Sequence, residues 1–304
     1  MTRSARWLPQ DKPNQRSLHS TPVPRGGGVA VMLGFLVGSL LFFSAQLAML
    51  LGLAIALSAV SFLDDWRGLS ALVRVVAHMI AAAVFVRLFM MDTSVPVMLL
   101  TGLCIAWMTN LYNFMDGADG LAGGMGVCGF GAYGAAAWLA GDGDLALLSS
   151  CLAASTLGFL LFNFPPARLF MGDVGSIPLG FLAAAIGSLG WHRSVWPAWF
   201  PLLVFAPFII DASVTLARRL WRREKVWHAH RTHYYQRLVR MGWGHRKTAL
   251  AEYTLMAGSA ITALIALVVD AGLQILLLGG ACSIYIALIV LIDRRWHNAE
   301  REMS

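Results

Sequence analysis

VPVMLLTGLCIAWMTNLYNFMDGADGLAGGMGVCGFGAYGAAAWLA, residues 95–140, decides the fold. Two apolar runs, 95–112 and 120–140, flank a short polar connection rich in Asx and Gly. Roughly 17–25 apolar residues are needed to cross a bilayer as a helix. The pattern therefore reads as two membrane helices joined by a loop that carries chemistry.

The pattern continues in both directions. Further apolar segments cover about 27–44, 47–63, 71–91, 145–164, 174–191, 197–218, 249–269 and 272–292, which makes ten in all. The first two are short and read as a tight helical hairpin. Over the 304 residues, 58% are hydrophobic and 13% charged, with a mean hydropathy of +0.67. Soluble domains carry about 25% charged residues. The expected fold is all-α: a polytopic integral membrane protein of about ten transmembrane helices. It forms a single domain over 1–304, with a polar N-terminal segment (1–26) and a basic, histidine-containing loop (219–247). The N-terminal segment lacks the apolar core of a signal peptide. Cys104, Cys128, Cys151 and Cys282 lie in apolar runs without metal-like spacing and read as inert thiols.

Orientation follows from the basic residues. With residues 1–26 in the cytoplasm, that side receives 21 of the 23 Lys and Arg, and only Arg87 and Arg193 fall outside. This distribution accounts for the net charge of +7 without nucleic acid as a partner. The same parity puts Asp64, Asp65, Asp116, Asp119, Asp173, His228, His230 and His233 on the cytoplasmic side, so the active site is expected there.

Four motifs carry the chemistry. FLDDWRGLS (62–70) places two adjacent carboxylates at a membrane boundary, with Ser70 as a cap for the next helix and Arg74 one turn into it. In NFMDGADGLAGG (113–124), Asn113, Asp116 and Asp119 recur every three residues, which puts them near one face. Its glycines allow close approach of backbone to a ligand. FNFPPARLFMGDVGSIPLG (162–180) ends one span at Asn163 and starts the next at Gly172-Asp173, where helix amides favour anions. HAHRTHYYQRL (228–238) looks like a zinc site in isolation, but surrounding arginines and the lack of nearby Cys or carboxylate favour an anion. Asp211, well inside a span, reads equally as a functional intramembrane carboxylate or as a structural partner of Arg218 or Thr215. Carboxylates beside a phosphate-seeking loop point to phosphoryl transfer. A secondary transporter or lipid flippase, and more weakly a membrane scaffold, stay open as alternatives, although transporters gather ionisable groups near the midplane.

At these motifs, together with DKPNQRSLHSTPVPRGGG (11–28), the sequence resembles the polyprenyl-phosphate N-acetylhexosamine-1-phosphate transferases. The motifs occur in the family's order over about residues 11–245, and HRTHYYQRL is similar to the branch that starts O-antigen and related surface polysaccharides. Family members usually carry a span ahead of the 11–28 stretch, and ten residues precede it here.

The resemblance implies a transfer of sugar-1-phosphate from a UDP-sugar to undecaprenyl or another polyprenyl phosphate. UMP would leave, and the enzyme would sit in the inner (cytoplasmic) membrane. Asp64 and Asp65 would serve the lipid-phosphate nucleophile. Asp173 would bind Mg²⁺ (or Mn²⁺), with Asn113 as second ligand. Asp119 and Asn163 would contact uridine, and Phe170 would stack on uracil. Arg74 would hold the lipid phosphate, while Asp116 with His230 and His233 would serve the pyrophosphate and sugar. Arg25 is assigned to the same pocket. GlcNAc, GalNAc, QuiNAc and FucNAc all satisfy these expectations, and a homodimer is compatible with them.

Overall fold

The computed structural model describes residues 10–11, 18, 22–40, 45–225 and 230–303, and within them the regular structure is helical apart from one small hairpin and an isolated bridge. The helices are α1 (Gly27–Ser39), α2 (Ala45–Arg67), α3 (Ala71–Phe89), α4 (Val95–Met115), α5 (Leu121–Leu139) and α6 (Gly143–Asn163). They continue with α7 (Asp173–His192), α8 (Trp199–Val204), α9 (Ala206–Trp221), α10 (Tyr234–Leu238), α11 (Gly244–Val268) and α12 (Ala271–Met303). A π-helical turn, Val239–Trp243, joins α10 to α11. Without water in the hydrocarbon, backbone amides must be satisfied within each span, and helices do this. Among the described residues, seven helical segments are long and apolar enough to cross a membrane. The other expected spans correspond to the short α1, the glycine-rich α5 and the α8–α9 pair. The chain is a multi-pass membrane protein.

Two boundaries depart from expectation. The span expected over 197–218 is broken at Phe205 (φ −97°, ψ 12°), which separates α8 from α9. Pro207 stands in the first turn of α9; lacking an N–H, proline suits a helix start and interrupts a continuous ladder. The second span extends through its acidic end, so Asp64 and Asp65 occupy the last turn of α2. Ser70 caps α3 as anticipated, its side chain accepting from the Val73 amide at 3.3 Å. The connection between the first two helices falls at 41–44, outside the described residues.

α7 is buried along most of its length and forms the centre of the bundle, with α4 and α2 packed along it. Small residues set these approaches, as is common where lipid offers helices no hydrophobic incentive to pair. A Cβ at Gly180 would lie 2.7 Å from the Met108 carbonyl oxygen and 2.9 Å from Thr109 Cα. At the N-terminal end of α7, a Cβ at Gly28 would meet the Gly175 amide nitrogen at 2.3 Å, so α1 and α7 touch backbone to backbone. A two-strand antiparallel hairpin, β1 (Gln10–Asp11) with β2 (Val23–Pro24), leads into α1, and Phe170 bonds alongside it through Pro24 and Gly27. These contacts bring the ends of α2, α4 and α6 together with the starts of α3, α5, α7 and α11. The motifs thereby converge at one end of the bundle. The opposite end is closed by Arg193–Asp142 at 3.0 Å and His192–Asp92 at 3.2 Å.

Gly180→Val should force α4 off α7. Overpacking of this kind costs typically about 1–3 kcal/mol, and here the obstacle is backbone. Thermal unfolding in detergent should show the loss, whereas Gly279→Val, where no atom lies within 4 Å of the added carbon, should melt like the parent.

Candidate active site

A cavity of about 460 Å³ opens at the motif-bearing end. Arg25, Arg74, Asn113, Asp116, Asp119, Asn163, Phe170, Asp173, His230 and His233 all line it, so most of the expected site residues share one space. Asp64 and Asp65 stand at its edge, tied in through arginine. Arg74 reaches Asp64 at 3.2 Å and Asp173 at 3.9 Å. Arg25 reaches Asp65 at 3.7 Å and Asp11 at 3.1 Å. The two adjacent aspartates therefore differ: Asp64 also accepts the Leu69 amide at 2.7 Å and closes the α2–α3 turn. Asp65 has the longer ion pair and the more exposed side chain, 29% against 10%.

Asn113, on the last turn of α4, donates its amide to Asp173 Oδ1 and to Ser176 Oγ, both at 2.9 Å. Ser176 was not anticipated from sequence, although it sits in the quoted Gly-Asp-Val-Gly-Ser run. Asp116 is the C-cap residue of α4. Burial and the neighbouring Asp173 push its carboxyl well above the usual carboxylate range, and Arg25 and the Gly172 amide only partly offset this. Burial works against the charge on Arg25, yet Asp11, Asp65 and Asp173 outweigh it and raise its pKa.

Asp119 is held from two sides. Its Oδ2 accepts the Ala167 amide at 3.0 Å, and Oδ1 lies 3.1 Å from His245 Nδ1. His245, at the start of α11, also lies 3.1 Å from the Leu18 carbonyl through Nε2. Sequence reading passed over His245 because it stands outside the histidine motif, and only the tertiary fold brings it to Asp119. Asn163 is buried: its Oδ1 accepts the Gly120 amide and its Nδ2 donates to the Leu169 carbonyl, both at 2.8 Å. It thus latches two cavity loops together. The glycines of 113–124 admit aromatic rings here. A Cβ at Gly117 would collide with the Tyr235 hydroxyl, and one at Gly124 with the Tyr253 ring. Gly120 takes φ +78°, a left-handed conformation that glycine adopts without strain.

The histidine loop departs most from the sequence reading. His228 lies outside the described residues. A carboxylate does reach the cluster: Asp211 Oδ1 lies 3.1 Å from His233 Nδ1. Asp211 also accepts the Tyr234 and Tyr235 amides at 2.9 and 3.0 Å and the Thr215 hydroxyl at 3.2 Å. Its expected partner Thr215 is present, but Arg218 turns to Asp293. The intramembrane carboxylate thus caps the loop helix from below. Two more of the loop's arginines are engaged by carboxylates: Arg219 pairs with Glu224, and Arg237 pairs with Asp293. Among the described residues, Arg25 and Arg74 are the arginines that line the cavity. His230 stacks 4.8 Å from His233, and burial, reinforced by His233 and Arg219, lowers its pKa to about 4.

A divalent cation is tested against this donor set. Among the described residues, no three His, Cys, Asp or Glu converge as a ready-made cage. Mg²⁺ is usually held by one or two carboxylates, with water and substrate phosphates completing its shell. Asp173, with Asp116 and Asn113 on the same cavity, is an oxygen-rich set, and it fits that ion.

Because His230 holds its proton only below about pH 4 when folded, while an unfolded histidine does so below about 6.5, the unfolded state binds more protons between those values. Stability should therefore fall as pH drops through that window. Melting curves at pH 7.5 and 5 should show a smaller acid loss for His230→Gln than for the parent.

The middle of the chain, residues 47–190, matches the glycosyl transferase family 4 model. A probable undecaprenyl-phosphate N-acetylglucosaminyl 1-phosphate transferase of Bacillus subtilis is 31% identical over 273 residues, covering 84% of this chain and 76% of the relative. A decaprenyl-phosphate N-acetylglucosaminephosphotransferase of Mycobacterium tuberculosis is 30% identical, covering 79% of this chain and 71% of the relative. A phospho-N-acetylmuramoyl-pentapeptide-transferase of Shouchella clausii is 31% identical over 55% of this chain and 60% of its own length. With its motifs gathered on one cavity and similarity to such relatives across most of its length, this chain belongs to glycosyl transferase family 4, within the polyprenyl-phosphate hexosamine-1-phosphate transferase superfamily.

Proposed function

We propose that the protein transfers an N-acetylhexosamine-1-phosphate from a UDP-sugar to undecaprenyl or a related polyprenyl phosphate, releasing UMP. The polyprenyl-diphospho-sugar formed would start a cell-surface polysaccharide, O-antigen being the pathway its histidine motif favours. The observation that carries this reading is the convergence of Asp64, Asp65, Asn113, Asp116 and Asp173 with Arg25 and Arg74 at one end of a membrane bundle. The positive-inside distribution supports reading that end as cytoplasmic, and in this reading the protein sits in the inner membrane.

In this reading Arg74, already fixed by Asp64, holds the acceptor phosphate at the membrane boundary. Asp65, less committed than Asp64, orients that phosphate and takes up its proton as its oxygen attacks the β-phosphorus of the donor. Arg25 neutralises the diphosphate as UMP leaves. Phe170 stacks on the uracil, and the loops latched by Asn163 place Asp119 against the uridine. His230, neutral at pH 7, offers hydrogen bonds to the sugar or diphosphate without adding charge. Asp173 and Asn113, with Asp116 near them, would hold Mg²⁺, which supplies charge neutralisation and alignment of the diphosphate.

The purified protein, given undecaprenyl phosphate and a panel of UDP-sugars, should release UMP and form a lipid-linked sugar with at least one of them. A transporter or flippase would give neither product. In the same assay Asp173→Asn, matched for expression and folded in detergent, should lose on the order of 10³-fold in rate. Near-parental turnover at low Mg²⁺ would remove the metal assignment. For orientation, cysteines placed singly at Arg222 and Gly143 in a cysteine-free background should differ in spheroplasts. An impermeant maleimide should label position 143 from outside and position 222 only after permeabilisation.

A further inference from the structure

We infer that His78 is a second contact for the phosphate of the polyprenyl acceptor, sharing one proton with a phosphate oxygen beside Arg74. This rests on the proposed reading of Arg74 as the acceptor-phosphate site. His78 stands four residues beyond Arg74 on α3, so the two side chains share a helix face. Both line the cavity. The His78 side chain is 3% exposed, and its Nδ1 has no hydrogen-bond partner among the described residues. Asn110 lines the same cavity. Asn110 is itself anchored, donating to the Ala106 carbonyl at 2.7 Å.

The ring is thus buried at the cavity with one nitrogen left without a partner. A buried polar atom without a partner is unfavourable, and at a substrate cavity the missing partner is readily a ligand. The chemistry of that ligand follows from the surroundings. Arg74 and Asp173 lie within electrostatic reach of the ring, while Val75, Ile177 and Leu216 belong to the same lining. A charged head beside cations, followed by hydrocarbon, describes a lipid phosphate; a nucleotide-sugar is polar throughout. Nδ1 accepts from the P–O–H of the monoanion or, as imidazolium, donates to the dianion, and in either form one proton lies between ring and phosphate.

The test separates lipid from nucleotide. In the transferase assay His78→Leu should raise KM for undecaprenyl phosphate at least tenfold and leave KM for the UDP-sugar within twofold. Its melting temperature in detergent should hold or rise, because the orphaned nitrogen is gone. His78→Gln, with a donor and an acceptor at similar reach, should restore the lipid KM to within about threefold. An unchanged lipid KM in His78→Leu, an equal rise for both substrates, or a fall confined to kcat would each overturn the inference. Arg74→Ala is measured alongside: if it raises lipid KM and His78→Leu does not, only this inference fails. If Arg74→Ala leaves lipid KM unchanged, the reading beneath it fails as well. Should His78→Leu melt early, the parent protein decides. Its ¹⁵N-histidine spectrum should show the His78 Nδ1 resonance moving with undecaprenyl phosphate and staying put with UMP; no movement with the lipid overturns the contact.

Discussion

The close approach of α4 to α7 is the constraint on which the rest of the site depends. With hydrogen alone at Gly180, the Met108–Thr109 backbone lies against α7, and further along the same pair of helices Asn113 meets Asp173 and Ser176. The metal-binding expectation for Asn113 and Asp173 needs two residues sixty positions apart to become neighbours within hydrogen-bond distance. In lipid, where apolar burial does not discriminate between helices, van der Waals fit at small residues and interhelical hydrogen bonds set that distance.

Around this pair the charge balance is lopsided. Among the described residues, Arg25 pairs with Asp11 and Asp65 and Arg74 with Asp64 and Asp173, so each arginine bridges more than one carboxylate, and Asp116 lines the same cavity. Burial first, and then the nearby Asp173, raise the Asp116 pKa at this boundary. The same imbalance suits phosphoryl transfer, where a divalent ion and the charge of the diphosphate arrive together.

The histidine loop is supported from inside the bilayer. Asp211 receives two backbone amides, the Thr215 hydroxyl and the His233 ring, so the loop's position is written into α9. Below that, Asp293 gathers Arg218, Arg237 and the Tyr234 hydroxyl and links α9, α10 and α12. Removing a carboxylate from a network of this kind leaves buried donors unpaired, which costs more than the bond itself contributed.

The sequence by itself determined the membrane class, the helical pattern, the sorting of chemistry to one end of the bundle, and the set of residues that would share a site. It could do so because span length, basic-residue parity and motif order are local properties that lipid enforces one helix at a time. It misjudged the eighth span, where Pro207 acts through backbone geometry that a hydropathy average ignores, and it had no means of seeing that Arg218 and Arg237 meet Asp293, far along the chain. Only the tertiary structure distinguished Asp64 from Asp65, gave Asp211 its capping role, brought His245 to Asp119 and left His78 with an unpaired nitrogen. Each of those is a contact between separate helices, and which helix faces meet is decided by packing at small residues and not by the composition of any one segment.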